Sequence, residues 1–233
     1  WKNKGVTDIY EPGSVFKVVT ASAALEEGAA TLNSSYNCKG SVMVDGWPRP
    51  IHCHNHAGHG LQTFTEAVVN SCNPAFISIG SSLGAHRFFQ YFDAFGLTEK
   101  TGIDLPAEAQ NSYYTEDRLN AVSLASCSFG QSNTVTPHVV SKILDSDGNT
   151  VEEFGTQVRR QVISEETSKT MSEVLEQVVS ANGGTNAYVK GYRIGGKSGT
   201  AQKLNKEEDV YIYSFFAFAP VDDPQVACLI LVD

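Results

Sequence analysis

Tyr10-Glu11-Pro12-Gly13-Ser14-Val15-Phe16-Lys17 decides how the rest of this chain is read. Pro12-Gly13 marks a turn. A helix from Ser14 to Glu27 follows, with Phe16, Val19, Ala23 and Leu25 as apolar positions and Gly28 as its stop. On that helix Ser14 and Lys17 lie one turn apart on the same face. A serine hydroxyl is a poor nucleophile at neutral pH, and an amine beside it can take its proton. Two more runs complete the set: Ser71-Cys72-Asn73, and Lys197-Ser198-Gly199-Thr200-Ala201. Either of the first two motifs alone fits an ordinary helix surface or cap. The third is more specific, because glycine is costly inside a strand and marks a close backbone approach. Their joint occurrence, in this order, is the signature of acyl transfer through a serine.

Working outward, residues 31–63 are rich in Gly, Pro, His and Asn and read as an irregular or short-stranded insertion. A second helix begins at Thr65–Val69, breaks near Ser71, and resumes over Pro74–Leu83. His86–Phe95 carries Phe88, Phe89, Tyr91, Phe92 and Phe95, mostly core. Thr101–Pro106 reads as extended and Asn120–Ser126 as helical, with a loop at Phe129–Asn133. Pro137 opens a helix over Val139–Leu144, and Asp147-Gly148-Asn149 is a turn. Glu165–Ala181 is the clearest amphipathic helix, with Met171, Val174, Leu175 and Val178 on one face and Asn182-Gly183-Gly184 ending it. Tyr192–Ile194, Lys197–Gln202, Tyr211–Ala219 and Val226–Val232 follow as strands, the last two largely apolar and so covered by helices on at least one face. Pro220–Pro224 is their hairpin turn. The expected fold is α/β (α+β): helices packed against an antiparallel sheet that closes at the C-terminus.

The 233 residues, 41% of them hydrophobic, suffice for a substantial core. A net charge of −9, with no Lys/Arg stripe, argues against nucleic acid as a partner. No run of about eighteen apolar residues is present, so nothing here reads as a membrane span. The five cysteines (38, 53, 72, 127 and 228) cannot all pair within one chain. Cys127 and Cys228 read as small buried hydrophobes.

Four histidines and a cysteine crowd His52–His59. Cys53, His56 and His59, with Cys38 or Cys72 as the fourth ligand, have spacings that suit a structural zinc, which would pin a loop too poor in apolar residues to fold alone. Two other readings stand beside it: a Cys38–Cys53 disulfide, and exposed histidines with no special chemistry. A catalytic zinc is not expected, since the serine machinery is complete without it.

The flanks extend the three motifs into a resemblance over essentially the whole chain. They include Ala23-Ala24-Leu25-Glu26-Glu27-Gly28, Gly58-His59-Gly60, Asn70-Ser71-Cys72-Asn73-Pro74, Thr101–Pro106, Phe129-Gly130-Gln131 with Thr136-Pro137, Lys197–Lys203 and Phe218-Ala219-Pro220. The chain resembles the transpeptidase domain of class B penicillin-binding proteins, nearest to division, elongation or sporulation members of Gram-positive bacteria. The resemblance implies the penicillin-binding protein/serine β-lactamase-like fold, with residues 1–233 as one partial transpeptidase domain. It implies that Ser14 attacks the penultimate D-alanine carbonyl of a pentapeptide stem, with Lys17 as base. Ser71 then relays a proton, Asn73 holds substrate backbone and the Lys17 amine, and Lys197 adds positive potential. Ser198 and Thr200, about Gly199, bind the substrate carboxylate, and the Ser14 and Thr200 amides form the oxyanion hole. His59 belongs to the family's Gly-His-Gly and braces the loop near Ser71, while Cys72 points away from the cleft.

The implied reaction needs no cofactor, its substrates are peptidoglycan stems, and β-lactams inhibit it. It is placed at the extracytoplasmic face of a bacterial cell membrane among cell-wall synthesis partners, through an N-terminal anchor outside this chain. D,D-carboxypeptidase, class D-like β-lactamase and β-lactam sensor domains are the alternatives. Family members carry strands before the nucleophile helix and a helix after the last strand, so the chain is expected to be truncated at both ends and to expose sheet edge.

Overall fold

The computed structural model describes residues 4–102, 107–136, 142–144, 147–153, 160–181, 185–203 and 210–232. A short helix α1 (Lys4–Thr7) leads to a 3-10 turn, Gly13–Val15, which runs directly into α2 (Lys17–Glu26). The 31–63 segment is short-stranded, as expected. β1 (Ser35–Cys38) pairs antiparallel with β4 (Gly60–Thr63), and β2 (Ser41–Val42) with β3 (Ile51–His52). The helical layer continues with α3 (Phe64–Val69), α4 (Asn73–Leu83), α5 (Ala85–Ala94) and α6 (Ala121–Ser128). After β5 (Lys142–Leu144) and β6 (Thr150–Glu153) comes α7 (Glu165–Ser180). The chain then ends in the antiparallel sheet β7 (Gly195–Gln202), β8 (Tyr211–Ala219) and β9 (Val226–Val232).

Caps explain where the helices start. Thr63 Oγ1 accepts the Glu66 amide at 3.2 Å while Glu66 Oε2 accepts the Thr63 amide at 2.7 Å, a capping box that opens α3. Asn120 Oδ1 accepts from the Val122 and Ser123 amides, each at 3.0 Å, and opens α6. Ser164 caps α7 and is itself held by Glu26 Oε2 at 2.8 Å, which ties the start of α7 to the end of α2.

The expected face of α7 is the buried one: Met171, Val174, Leu175 and Val178 join Ala21 and Ala24 of α2, Phe64 and Val68 of α3, and Phe76 and Ile79 of α4. Removing a ring such as Phe76 from this cluster costs about 3–5 kcal/mol. A second cluster gathers Phe16, Phe88, Phe92 and Leu124. Of the α5 aromatics only Phe88 and Phe92 are fully buried.

Four expectations need correction. Lys142–Leu144 is not helical but a strand that turns through Asp147-Gly148-Asn149 to pair with β6; Pro137–Ser141 lie outside the described residues. Its β-branched isoleucine and a strong following turn favour a hairpin over a short helix. Tyr192–Ile194 precedes the sheet without joining it, and β7 starts at Gly195, where pairing with Phe218 begins. α7 packs on β7, and among the described residues β9 is not covered: Val226, Ile230 and Val232 are exposed. Cys228 is exposed with them rather than buried, whereas Cys127 is buried as expected. The extended piece at 103–106 and the helix stop at 182–184 fall outside the described residues.

Candidate active site and metal centre

The 3-10 turn sets Ser14, half-buried, at the mouth of α2, and Lys17 is the first residue of that helix and fully buried. The turn is clamped from two sides. Gly13 donates its amide to the Gly130 carbonyl at 2.9 Å, and β7 crosses its other flank. A Cβ on Gly13 (φ +56) would lie 2.6 Å from the Thr200 carbonyl, and one on Gly199 would lie 2.9 Å from the Pro12 carbonyl. Glycine in this otherwise strand-forming segment is what lets the Ser14 turn and the strand touch.

The Lys17 amine donates to the Ser71 carbonyl at 2.7 Å, to Asn73 Oδ1 at 2.7 Å and to Ser71 Oγ at 3.2 Å. The Lys197 amine donates to the same Ser71 Oγ at 3.0 Å and to the Ser198 carbonyl at 3.0 Å. Ser71 holds a left-handed backbone (φ 49) between α3 and α4, and this break presents its carbonyl and hydroxyl together. The sequence therefore placed the amine beside Ser14, but among the described residues its hydrogen bonds go to Ser71 and Asn73. Burial, and then the charge of Lys197, hold the Lys17 pKa well below the ordinary lysine value, against opposing contributions from Cys72 and Cys53. Burial alone pushes Lys197 down to about 8. From Lys197 to Ala201 burial alternates along β7: Lys197, Gly199 and Ala201 are buried, while Ser198 and Thr200 are exposed.

All five expected catalytic positions thus lie on elements that meet at one place. Sequence reasoning missed the supports. Glu11 Oε1 accepts the Ser132 amide at 2.8 Å, and Asn73 Nδ2 donates to the His52 carbonyl at 3.2 Å, tying the insertion to the second motif. Backbone partners of this kind leave no trace in residue type.

Behind Ser71 and Asn73, Cys38, Cys53, His59 and Cys72 bring one ligand atom each within 4.8 Å of one another. Cys38, Cys53 and Cys72 are buried and all three thiols are free, so the Cys38–Cys53 disulfide does not form. His56 is not in the cluster and Cys72 takes its place. Asn55 turns the chain, with Oδ1 accepting the Ala57 amide at 3.2 Å and Nδ2 donating to the Gly58 carbonyl at 2.9 Å. His56 thus lies beside His52, ring centroids 5.5 Å apart and tilted by 47°, while His59 Nδ1 comes to 3.6 Å from Cys53 Sγ. Burial raises the Cys38 thiol, but hydrogen bonds led by the Gly40 and His59 amides bring it below its ordinary value. Three buried thiols and one imidazole at this separation are a donor set able to chelate a metal.

The family profile for the penicillin-binding protein transpeptidase domain matches residues 1–233. The chain belongs to the penicillin-binding protein transpeptidase family. Its kind is class B, FtsI-like. It is 40% identical to Stage V sporulation protein D of Bacillus subtilis, over 100% of this chain and 39% of that protein. It is 30% identical to a probable peptidoglycan D,D-transpeptidase FtsI of Caulobacter vibrioides, over 99% of this chain and 42% of that one. The chain thus spans about two-fifths of the length of the curated relatives it matches. In structure it matches penicillin-binding protein 3 of Mycobacterium tuberculosis, complexed with aztreonam, with a TM-score of 0.84, at 28% identity and covering 99% of this chain and 58% of that one. The penicillin-binding protein fold, an antiparallel sheet packed against helices, is therefore that of this chain. Among the described residues no helix is long and apolar enough to cross a membrane.

Proposed function

We propose that this domain is a serine D,D-transpeptidase that cross-links peptidoglycan stem peptides through an acyl-enzyme on Ser14 and is blocked by β-lactams. The observation that carries the reading is the Ser71 hydroxyl shared by two buried lysine amines, Lys17 and Lys197, beside the turn that presents Ser14. Burial and the neighbouring Lys197 charge hold the Lys17 pKa well below its ordinary value and so favour the neutral amine, the form that can take the Ser14 proton. Ser71 then passes a proton between Lys17 and the departing D-alanine nitrogen. Lys197, still charged below about pH 8, draws the substrate carboxylate onto Ser198 and Thr200 on the exposed face of β7. The Ser14 and Thr200 amides receive the negative charge of the tetrahedral intermediate. The amine of a second stem resolves the ester and forms the new amide, so no cofactor enters the chemistry. Intact mass after β-lactam exposure tests the assignment. The chain gains one adduct and Ser14→Ala gains none; an adduct on both removes Ser14 from the role. Cross-linked product, against hydrolysed stem alone, separates transpeptidase from carboxypeptidase.

The metal suited to the Cys/His cluster is a structural zinc, held by Cys38, Cys53, His59 and Cys72. Four protein ligands leave no open position, so the ion would fix the loop and the Ser71-Cys72-Asn73 break without touching substrate. Purified protein should carry one zinc, and Cys72→Ser should lose it.

The similarity to a B. subtilis sporulation protein, at 40% against 30% for the Caulobacter vibrioides protein, supports a sporulation-type role. In the whole protein the domain works at the extracytoplasmic face of the membrane, anchored N-terminally, with other cell-wall synthesis proteins as partners.

A further inference from the structure

A cavity of about 610 Å³ is walled by Ser112, Tyr114, Thr115, Asp117, Arg118 and Ser132. It is joined to the catalytic segment through the backbone. Ser132 gives its amide to Glu11, three residues before Ser14, and Gly130 accepts the amide of Gly13. Ser132 is also one of three non-glycine residues at positive φ (64°) among those described.

A second observation concerns the residues next to this wall in sequence. Among the described residues, four buried side-chain polar atoms have no hydrogen-bond partner in the protein. Three of them are Asn133 Nδ2, Asn133 Oδ1 and Asn111 Oδ1. Asn111 and Asn133 directly adjoin Ser112 and Ser132 of the cavity wall, and the two segments are bonded to each other through Thr134, whose Oγ1 accepts the Ser112 amide at 2.7 Å. Neither asparagine lines the cavity, and Asn111 Nδ2 donates to the Leu97 carbonyl at 3.1 Å, so these amides make the segments behind the wall polar rather than apolar.

The lining says what the cavity would take. Hydroxyls from Ser, Thr and Tyr both donate and accept, and Asp117 and Arg118 cancel in charge, so neither a phosphate nor a cation is selected. The half-exposed ring of Tyr114 offers an apolar face. A neutral ligand with many hydroxyl and amide groups and one apolar face fits that lining, and the volume is in the range of small-molecule sites. An N-acetylated amino sugar has this chemistry, and a peptidoglycan strand carries one beside every stem.

We infer that this cavity is a glycan subsite, binding the N-acetyl amino sugar of a peptidoglycan strand while its stem peptide is processed at Ser14. The inference rests on the transpeptidase reading above and adds to it a substrate preference.

The test compares a soluble disaccharide-pentapeptide with the free pentapeptide, using the full-length protein and Tyr114→Ala, with active enzyme counted by β-lactam titration. Wild type should process the sugar-bearing substrate about tenfold faster in kcat/KM, the worth of one or two hydrogen bonds and a ring contact. The variant should bring that ratio close to one. A preference in acyl-enzyme formation assigns the sugar to the donor strand. One seen only in the resolving step assigns it to the acceptor strand. A ratio near one in wild type, or a ratio unchanged by Tyr114→Ala, overturns the subsite. Arg118→Ala provides the same comparison if Tyr114→Ala does not fold. Failure of any β-lactam to label wild type would instead sink the transpeptidase reading, so the two failures are distinguishable.

Discussion

β7 and β9 belong to one antiparallel sheet and invert the usual link between hydrophobicity and burial. β7, Gly195-Gly196-Lys197-Ser198-Gly199-Thr200-Ala201-Gln202, is polar and glycine-rich, yet Lys197 is 1% exposed and Ala201 3%. β9, Val226-Ala227-Cys228-Leu229-Ile230-Leu231-Val232, is apolar throughout, yet Val226 is 66% exposed and Ile230 56%. Burial here follows position. β7 lies between α7 and the Ser14 turn, whereas among the described residues β9 pairs only with β8 and forms the edge of the sheet. Glycines in β7 give up side-chain burial to let two backbones touch, and a lysine is buried because its amine finds the Ser71 hydroxyl and the Ser198 carbonyl. The strand that looks like core is held by its ladder, and the strand that looks like a loop is at the centre of the site.

The largest effect expected from this contrast is at Lys197. Lys197→Ala removes charge from a water-poor site and should lower β-lactam acylation by about 10²–10³-fold, read as adduct formation against time. Gly199→Val should come next. Its branched side chain meets the Pro12 carbonyl and parts the strand from the turn, and a misplacement of about 1 Å can cost about 10²-fold in the same assay.

pH sharpens the comparison further. Lys197 titrates near 8, below its ordinary value, so it is charged below that pH and neutral above it. Acylation should fall severalfold as pH rises through about 8. Its contribution to stability runs the other way. Below pH 8 the amine is protonated folded and unfolded, and the burial penalty is fully present. Between about 8 and the ordinary lysine value only the unfolded chain binds the proton, so stability rises with pH. Denaturant midpoints of wild type and Lys197→Gln should therefore converge over that window; parallel curves would break the assignment. The smallest effect belongs to β9. Ile230→Ser in the 1–233 chain should shift stability by no more than about 0.5 kcal/mol, as for an exposed position, and a cost of several kcal/mol would show that its face is covered.

The helices were the most legible part of the fold. Met171, Val174, Leu175 and Val178 recur at helical spacing, and α7 buries that face. Less legible were segments whose state depends on partners distant in sequence. Lys142–Leu144 became a strand by pairing with β6, and Cys228 is exposed because nothing among the described residues packs over β9. In the site, the three motifs named their residues and the resemblance gave the Asn73 contact of the Lys17 amine, but not that amine's bonds to the Ser71 carbonyl and hydroxyl. The metal cluster was half legible. Cys38, Cys53 and His59 followed from spacing, while the exchange of His56 for Cys72 needed the Asn55 turn and the break at Ser71.

By itself the sequence determined which groups this protein has for its chemistry: a serine and lysine one helical turn apart, a serine-asparagine break, and a glycine-bearing strand with its own lysine. Those follow from residue type and short-range spacing, which act over a few bonds. Only the tertiary structure decided which partners the lysine amines take, which thiols converge, and which strand is covered. Those depend on segments over a hundred residues apart meeting in space, as when Lys197 reaches Ser71 across 126 positions.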